Sequence, residues 1–308
     1  YQALLDHFIQ AATPEEASQL LNLEVLIHER LIDQEEAVSL VSRALREYRS
    51  GLARKGGPIA TFLFVGPTGV GKTELSKILT RIQFGDEKYM VRLDMSEYQN
   101  KENIYQLIGS PKGEGGGSLT DAILEKPYSV VLLDEFEKAH PDILNLFLQV
   151  FDDGRLTDNL GRTVDFTNTI IIATSNAHSA FIKSSLEEGR QMPVIAEELK
   201  KKLVDYFKPE LLNRFSGIVC FRTLSPEHIL AITRLQLKEL SKTAAESNGI
   251  TLLYGESAIA KVAELGYDQV FGARPLRGVI SEKLKSMLAE KILRGEVSRG
   301  ASVKVSYE

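Results

Sequence analysis

Gly66-Pro67-Thr68-Gly69-Val70-Gly71-Lys72-Thr73 is the run of residues with the most specific chemistry in the sequence. Glycines at 66, 69 and 71 let the backbone curl tightly enough for its N–H groups to point inward. Lys72 adds an ammonium and Thr73 a hydroxyl at the end of the curl. Such a cradle suits a nucleoside triphosphate: the lysine reaches the β- and γ-phosphates, and the threonine hydroxyl holds Mg²⁺. The apolar run Thr61-Phe62-Leu63-Phe64-Val65 before it reads as a buried strand, and Glu74-Leu75-Ser76-Lys77-Ile78-Leu79 after it reads as the start of a helix. The helix N-terminus adds the positive end of its dipole. Strand, glycine turn, Lys-Thr and helix is the context a P-loop requires, against the plainer reading of a turn with a surface lysine.

Val130-Val131-Leu132-Leu133-Asp134-Glu135 is a strand ending in two acids, the form of a Walker B motif. Asp134 would orient Mg²⁺, mostly through coordinated water, and Glu135 would polarise the attacking water as general base. Successive strand residues face opposite ways, so adjacent acids can take different tasks.

Positioning these groups requires a parallel sheet. Further strand-like runs occur at 89–93, 169–173 and 218–221, with helical spacing between them. Residues 34–50 carry Val38, Val41, Leu45 and Tyr48 at helical spacing with Gly51 placed to stop them, and another helix opens at Pro141. This alternation predicts an α/β fold, a parallel sheet doubly wound with helices. The pattern changes after Thr223: Ser225-Pro226 starts a helix, and Leu276, Ile280, Leu284, Met287, Leu288 and Ile292 mark an amphipathic helix ending near Gly295. Two domains are expected, a large ATP-binding domain over 1–222 and a smaller, mostly helical one over 223–308.

The composition is that of a globular protein: 308 residues, 43% hydrophobic and 26% charged. A net charge of −5 gives no general attraction to nucleic acid, and Lys200-Lys201-Lys202 reads as a solvated helix face. The single cysteine, Cys220, rules out an intrachain disulfide and fits a reducing compartment. There is no membrane-length apolar run or signal-peptide pattern, so a cytoplasmic location without membrane contact is expected. The five histidines lack metal-ligand spacing, and there is no Gly-x-Ser-x-Gly elbow. The chain opens at Tyr1 without Met, in sequence of helical character, and is expected to be part of something longer.

Longer blocks make a family resemblance specific: GPTGVGKTEL (66–75), DMSEY (94–98), PYSVVLLDEFEKAHPDILN (127–145), DDGRLTDNLGRTVDF (152–166), ATSN (173–176), ELLNRF (210–215) and GARPLR (272–277). From about residue 26 onward the sequence resembles the AAA+ ATPases of the Clp family, in particular the second ATPase module of ClpB- and ClpC-type unfoldases and disaggregases. The resemblance implies roles for further residues. Asn176 matches sensor 1, and Arg214 matches the arginine finger acting on ATP in a neighbouring subunit. Arg274 matches sensor 2, and Leu31 and Ile32 match the apolar segment beside adenine. Where the family has Val-Ile-Gly-Gln, this sequence has Asp33 in place of the glycine. The implied function is an ATP-hydrolysing, ring-forming motor, hexameric in the family, that remodels protein substrates.

Two departures bear on that function. The family's substrate loop carries Gly-Tyr-Val-Gly, whose tyrosine grips threaded polypeptide. Residues 108–120 here read IGSPKGEGGGSLT, shorter and without an aromatic. Weak grip or grip by another element, remodelling without threading, and residues missing from the sequence are the open readings. The alternative function is a nucleotide-switched assembly or regulatory module; a nucleic-acid motor is disfavoured by charge and by the Clp-specific blocks. The aliphatic-Gly-aromatic tripeptide used to dock a barrel protease is absent from 177–193, so protease docking is not supported.

Overall fold

Apolar runs alternating with amphipathic segments become, in the computed structural model of the chain, strands alternating with helices. The structure describes residues 13–52, 56–111 and 115–307. The helical character read at Tyr1 and the loop centre Lys112-Gly113-Glu114 lie outside the described residues.

Five strands form one sheet: β1 (Ala60–Val65), β2 (Met90–Asp94), β3 (Ser129–Asp134), β6 (Thr169–Ser175) and β7 (Gly217–Cys220). Their order is β2-β3-β6-β1-β7, and every pairing is parallel. Between β3 and β6 the chain adds an antiparallel hairpin, β4 (Arg155–Thr157) with β5 (Thr163–Asp165). β1, β3 and β6 are buried at every residue, as strands covered on both faces must be. Helix Pro141–Asp153 begins with proline at its first position and is capped by His140, whose Nδ1 accepts the Asp142 N–H at 3.2 Å. Helix Glu35–Arg49 ends before Gly51, whose φ of 75° is left-handed, as its sequence predicts.

Leu63, Val65, Val131, Leu133, Ile171 and Ala173 bring alternate strand residues into one core with a group of phenylalanines. Phe136 is central to that group: its ring lies 5.6 Å from Phe147, 5.7 Å from Phe207 and 6.3 Å from Phe215. Residues Glu135 and Glu137 flank it, so aromatic packing fixes the turn on which two acids stand.

The described residues divide into two compact units. The first contains residues 13–29, 34–66 and 71–222; the second contains 223–307 with two short segments, 30–33 and 67–70. In the second unit, helix Pro226–Asn248 starts on a reciprocal cap. Ser225 Oγ accepts the His228 N–H at 3.3 Å, and the Ser225 N–H donates to His228 Nδ1 at 3.2 Å. Helix Glu256–Leu265 and a parallel pair, β8 (Thr251–Tyr254) and β9 (Ser302–Val305), complete a core around Leu237, Leu240, Ile259, Leu276 and Ile280.

One expectation needs correction here. The amphipathic stretch is not a uniform α-helix: a π-helical turn, Ile280–Lys285, separates Leu276–Val279 from Ser286–Leu293. Leu276 and Ile280 are buried, Leu284, Leu288 and Ile292 are half-buried, and Met287 is exposed. The inward residues recur every four positions. Four residues overshoot one α turn and fall short of a π turn, so the π turn offsets the drift of that stripe.

Phe136→Ala is expected to lower unfolding stability by about 3–5 kcal/mol. Urea denaturation measures it; a loss below about 1 kcal/mol would refute the aromatic anchoring of this turn.

Candidate functional site

β6 lies between β1 and β3; β1 and β6 end in step, and β3 ends one position earlier. Val65 pairs with Ser175, and Leu133 pairs with Ala173. The next residues therefore emerge side by side: Gly66 after β1, Asn176 after β6, and Glu135 after Asp134 closes β3. The carboxyl ends of parallel strands are where ligands bind in such sheets.

Gly66 donates its N–H to Ser175 O at 3.1 Å. Its approach to the neighbouring chain is close: a Cβ there would lie 2.7 Å from Phe221 O. Helix Lys72–Phe84 begins after Gly71, whose φ is 114° and which has no side chain to cap the first turn. Lys72 is buried, and its Nζ donates to Asn176 Oδ1 at 2.9 Å and to Gly66 O. Burial lowers the Lys72 pKa to about 8, against the opposing pull of Glu137 and then Asp134.

Both acids of the β3 terminus have partners. Asp134 Oδ1 accepts from Thr174 Oγ1 at 2.9 Å, and Oδ2 accepts from Arg92 Nε at 2.6 Å. The Arg92 side chain is 55% exposed, so it can swing into solvent and release that oxygen. Glu135 is one of four non-glycine residues with positive φ among the described residues, at 55°. Its N–H donates to Thr174 Oγ1 at 3.3 Å, and its carboxylate pairs with Lys138. That hydrogen bond raises the Lys138 pKa. Thr174 thus binds the backbone of one acid and the side chain of the other.

Arg214 is positioned by its own main chain: its carbonyl accepts from Thr61 Oγ1 at 3.1 Å, and its N–H donates to Leu211 O at 3.0 Å. Its Nε lies 2.6 Å from Asp152 Oδ1, at the end of helix Pro141–Asp153, rather than in the Lys72 cluster. The partnership with Asp152 raises its already high pKa.

The remaining expected site residues belong to the second unit: Leu31, Ile32, Pro67, Thr68, Gly69, Val70 and Arg274. Gly69 O accepts the Ala273 N–H at 3.3 Å, and a Cβ on Gly69 would lie 2.0 Å from Phe271 O. Gly272 has φ 59°, and the Arg274 N–H closes the turn on Phe271 O at 3.2 Å. Leu31 is buried and Ile32 half-buried. Asp33 takes φ 63°, so the aspartate that replaces the family's glycine still adopts a left-handed conformation, which Asp tolerates better than most residues.

These donors fit a polyphosphate: a buried ammonium, and an uncapped helix start whose N–H groups have no side-chain acceptor at the N-cap. The Asp134 carboxylate and Thr73 hydroxyl are hard oxygen donors of the kind Mg²⁺ takes, with substrate phosphates supplying the rest.

Around residues 108–120, the hairpin tip holds both flanks. Asn159 donates its N–H to Ile108 O at 3.0 Å and its Nδ2 to Gly109 O at 2.7 Å. Arg162 reaches the other flank, at Asp121 Oδ1, 2.6 Å away, while its Nε bonds the buried Asp158 at 2.7 Å. The Ser110 N–H meets Gly115 O at 3.3 Å, closing the base of the loop.

Sequence reasoning passed over Arg92, Lys138, Thr174, Asp152 and above all Glu137. The Glu137 Oε1 accepts the Asn176 backbone N–H at 3.1 Å. Its signal was present in the string Asp134-Glu135-Phe136-Glu137-Lys138, a third acid two residues past the second.

Comparison with known proteins gives the family. A family model described as an AAA domain of the Cdc48 subfamily matches residues 57–218, and one for the C-terminal, D2-small domain of ClpB protein matches 224–305. The chaperone protein ClpB of Meiothermus ruber is 50% identical over 294 residues, covering 94% of this chain and 34% of that protein. Its counterpart in Aquifex aeolicus is 47% identical over 304 residues, covering 96% of this chain and 30% of its own length. A solved structure, the Hsp104–ADP complex of S. cerevisiae, superposes with a TM-score of 0.86 at 37% identity, over 96% of this chain and 52% of that one. The chain thus spans about a third of the length of the ClpB relatives, 30–34% of each. With the first model matching more than half of its residues and the second following directly behind, the chain belongs to the AAA family, Cdc48 subfamily, and is similar to the C-terminal ATPase module of ClpB.

Proposed function

We propose that this chain is an ATP-hydrolysing module of a ring-forming machine that remodels proteins. The observation that carries the proposal is that Lys72 bonds Asn176 at the end of β6, while Asp134 and Glu135 stand at the end of the neighbouring β3.

The segment from Gly66 to Thr73 would cradle the phosphates, with Lys72 on the β- and γ-phosphate oxygens. Thr73 and Asp134 would hold Mg²⁺, whose charge offsets that of those oxygens. Glu135 would take a proton from the attacking water once its carboxylate leaves Lys138. Asn176 would exchange Lys72 for the γ-phosphate or the water. Arg214 would serve a neighbouring copy's ATP after leaving Asp152, countering charge that builds in the transition state. Arg274 would reach the γ-phosphate, and Leu31 and Ile32 would flank adenine. In this reading residues 1–222 form the large domain and 223–308 the small, sensor 2 domain.

The proposed partners are protein substrates and further copies of the chain, in a hexameric ring, with no role for nucleic acid. Protease docking is left out. Residues 177–193 place helix Ser179–Glu187 with Phe181 beneath Arg190, 5.7 Å away, and Lys202, 5.0 Å away, and offer no aliphatic-Gly-aromatic tip. No described helix is long and apolar enough to cross a membrane. The cytoplasm is the proposed location; it would keep the buried Cys220, whose thiol pKa is pushed up to about 12 by burial, reduced.

Glu135→Gln is expected to bind ATP and hydrolyse it about 10²–10⁴ times more slowly. Steady-state phosphate release beside fluorescent-nucleotide binding measures both, and near-normal turnover would remove Glu135 from the role of base. Arg214→Ala is expected to hydrolyse slowly alone and to gain activity when mixed with Glu135→Gln, which supplies an intact arginine in trans. Activity that stays flat across mixing ratios would argue against a shared site. ATP-driven unfolding of a tagged fluorescent protein by the intact protein tests the remodelling itself; hydrolysis without unfolding would leave only the nucleotide-switch reading.

A further inference from the structure

Glu137 stands behind the residues given roles in hydrolysis, and three of its features point the same way. Its Oε1 accepts the backbone N–H of Asn176 at 3.1 Å. Its Oε2 is buried and has no hydrogen-bond partner among the described residues. Its charge acts on Lys72 more strongly than that of Asp134 does.

A carboxylate oxygen left without a hydrogen bond in the interior is costly unless a nearby charge compensates. Lys72 provides that charge, and Lys72 is itself bound to the Asn176 side chain at 2.9 Å. Glu137, Asn176 and Lys72 therefore form a closed set, in which the carboxylate holds the main chain of Asn176 and the ammonium holds its amide.

A side chain that exchanges partners during a reaction needs a fixed pivot. Asn176 follows directly after β6, beyond the last strand pairing at Ser175, so the ladder does not hold it. The glutamate does. Glu137 in turn belongs to the 3-10 turn Phe136–Lys138, whose Phe136 is packed among three aromatic rings. The rigidity of the core thus reaches the Asn176 N–H through the Glu137 hydrogen bond.

We propose that Glu137 is a positioning residue for ATP hydrolysis, holding the Asn176 backbone so that its amide can pass from Lys72 to the reacting phosphate or water. The inference rests on the ATPase reading above and assigns Glu137 no contact with the nucleotide.

The test compares Glu137→Ala, Glu137→Gln and Glu137→Asp in the intact protein. Glutamine keeps the acceptor at the right reach; aspartate keeps the charge but is one methylene short. Alanine and aspartate are expected to lower kcat by about 10- to 100-fold, the scale of a roughly 1 Å misplacement. Fluorescent-nucleotide affinity should stay within about threefold of the parent in aspartate, which keeps the negative charge that acts on Lys72. Glutamine should recover kcat to within about threefold, because the hydrogen bond survives. Should alanine fail to fold, the aspartate–glutamine pair carries the test. The proposal is overturned if aspartate turns over as fast as glutamine, if alanine stays within about twofold of the parent, or if kcat and affinity fall together in aspartate. A parent protein without ATPase activity would instead sink the underlying reading.

Discussion

Everything at the site depends on the register of three parallel strands. β6 pairs with β1 on one side and β3 on the other, with Val65 opposite Ser175 and Leu133 opposite Ala173. A parallel ladder cannot slip by one residue without turning buried side chains to the opposite face. Here both faces are buried, so the register is fixed twice over. That fixity brings residues at the ends of separate strands into one cluster, as the proposed shared ligand would require. The ring of groups around Lys72 is a result of strand pairing before it is a result of electrostatics.

The electrostatics then give each of the groups proposed to act in hydrolysis a partner within the chain. Lys72 holds Asn176, Arg92 holds Asp134, Lys138 holds Glu135 and Asp152 holds Arg214. Arg92 and Lys138 have half or nearly half of their side chains exposed, so those two pairings are weak and easily exchanged. The buried Lys72 is different: the interior penalises its charge, so a polyanion arriving beside it relieves a cost already present. The structure therefore combines a core that does not yield with charged tips that do.

Much of this was legible in the residues themselves. Glycine placement announced the turn from β1 into helix Lys72–Phe84, continuous apolar runs announced strands covered on both sides, and Gly51 and Pro141 marked helix ends where they occur. What was not legible depends on spatial neighbours far apart in sequence. No periodicity links Arg92 to Asp134 or Asp152 to Arg214, since those contacts come from strand order and helix packing. Glu137 was overlooked because a strand's alternation ends at Asp134, and beyond it a turn rather than a pattern decides where side chains go. The π turn at Ile280–Lys285 was hidden because an apolar residue every four positions reads as an ordinary helical stripe.

The first glycine of the phosphate loop has a further consequence. Gly66 lacks a side chain because the carbonyl of Phe221 lies where a Cβ would be, 2.7 Å away. That demand comes from the edge of the sheet, where the chain leaves β1 beside β7, and it exists whether or not a nucleotide is bound. Gly71 answers a different demand, the left-handed entry into helix Lys72–Phe84. Two glycines five positions apart in one motif thus satisfy separate requirements, one architectural and one conformational. The same eight letters encode a seam in the scaffold and the proposed grip on phosphate, and damage to the first would masquerade as loss of the second.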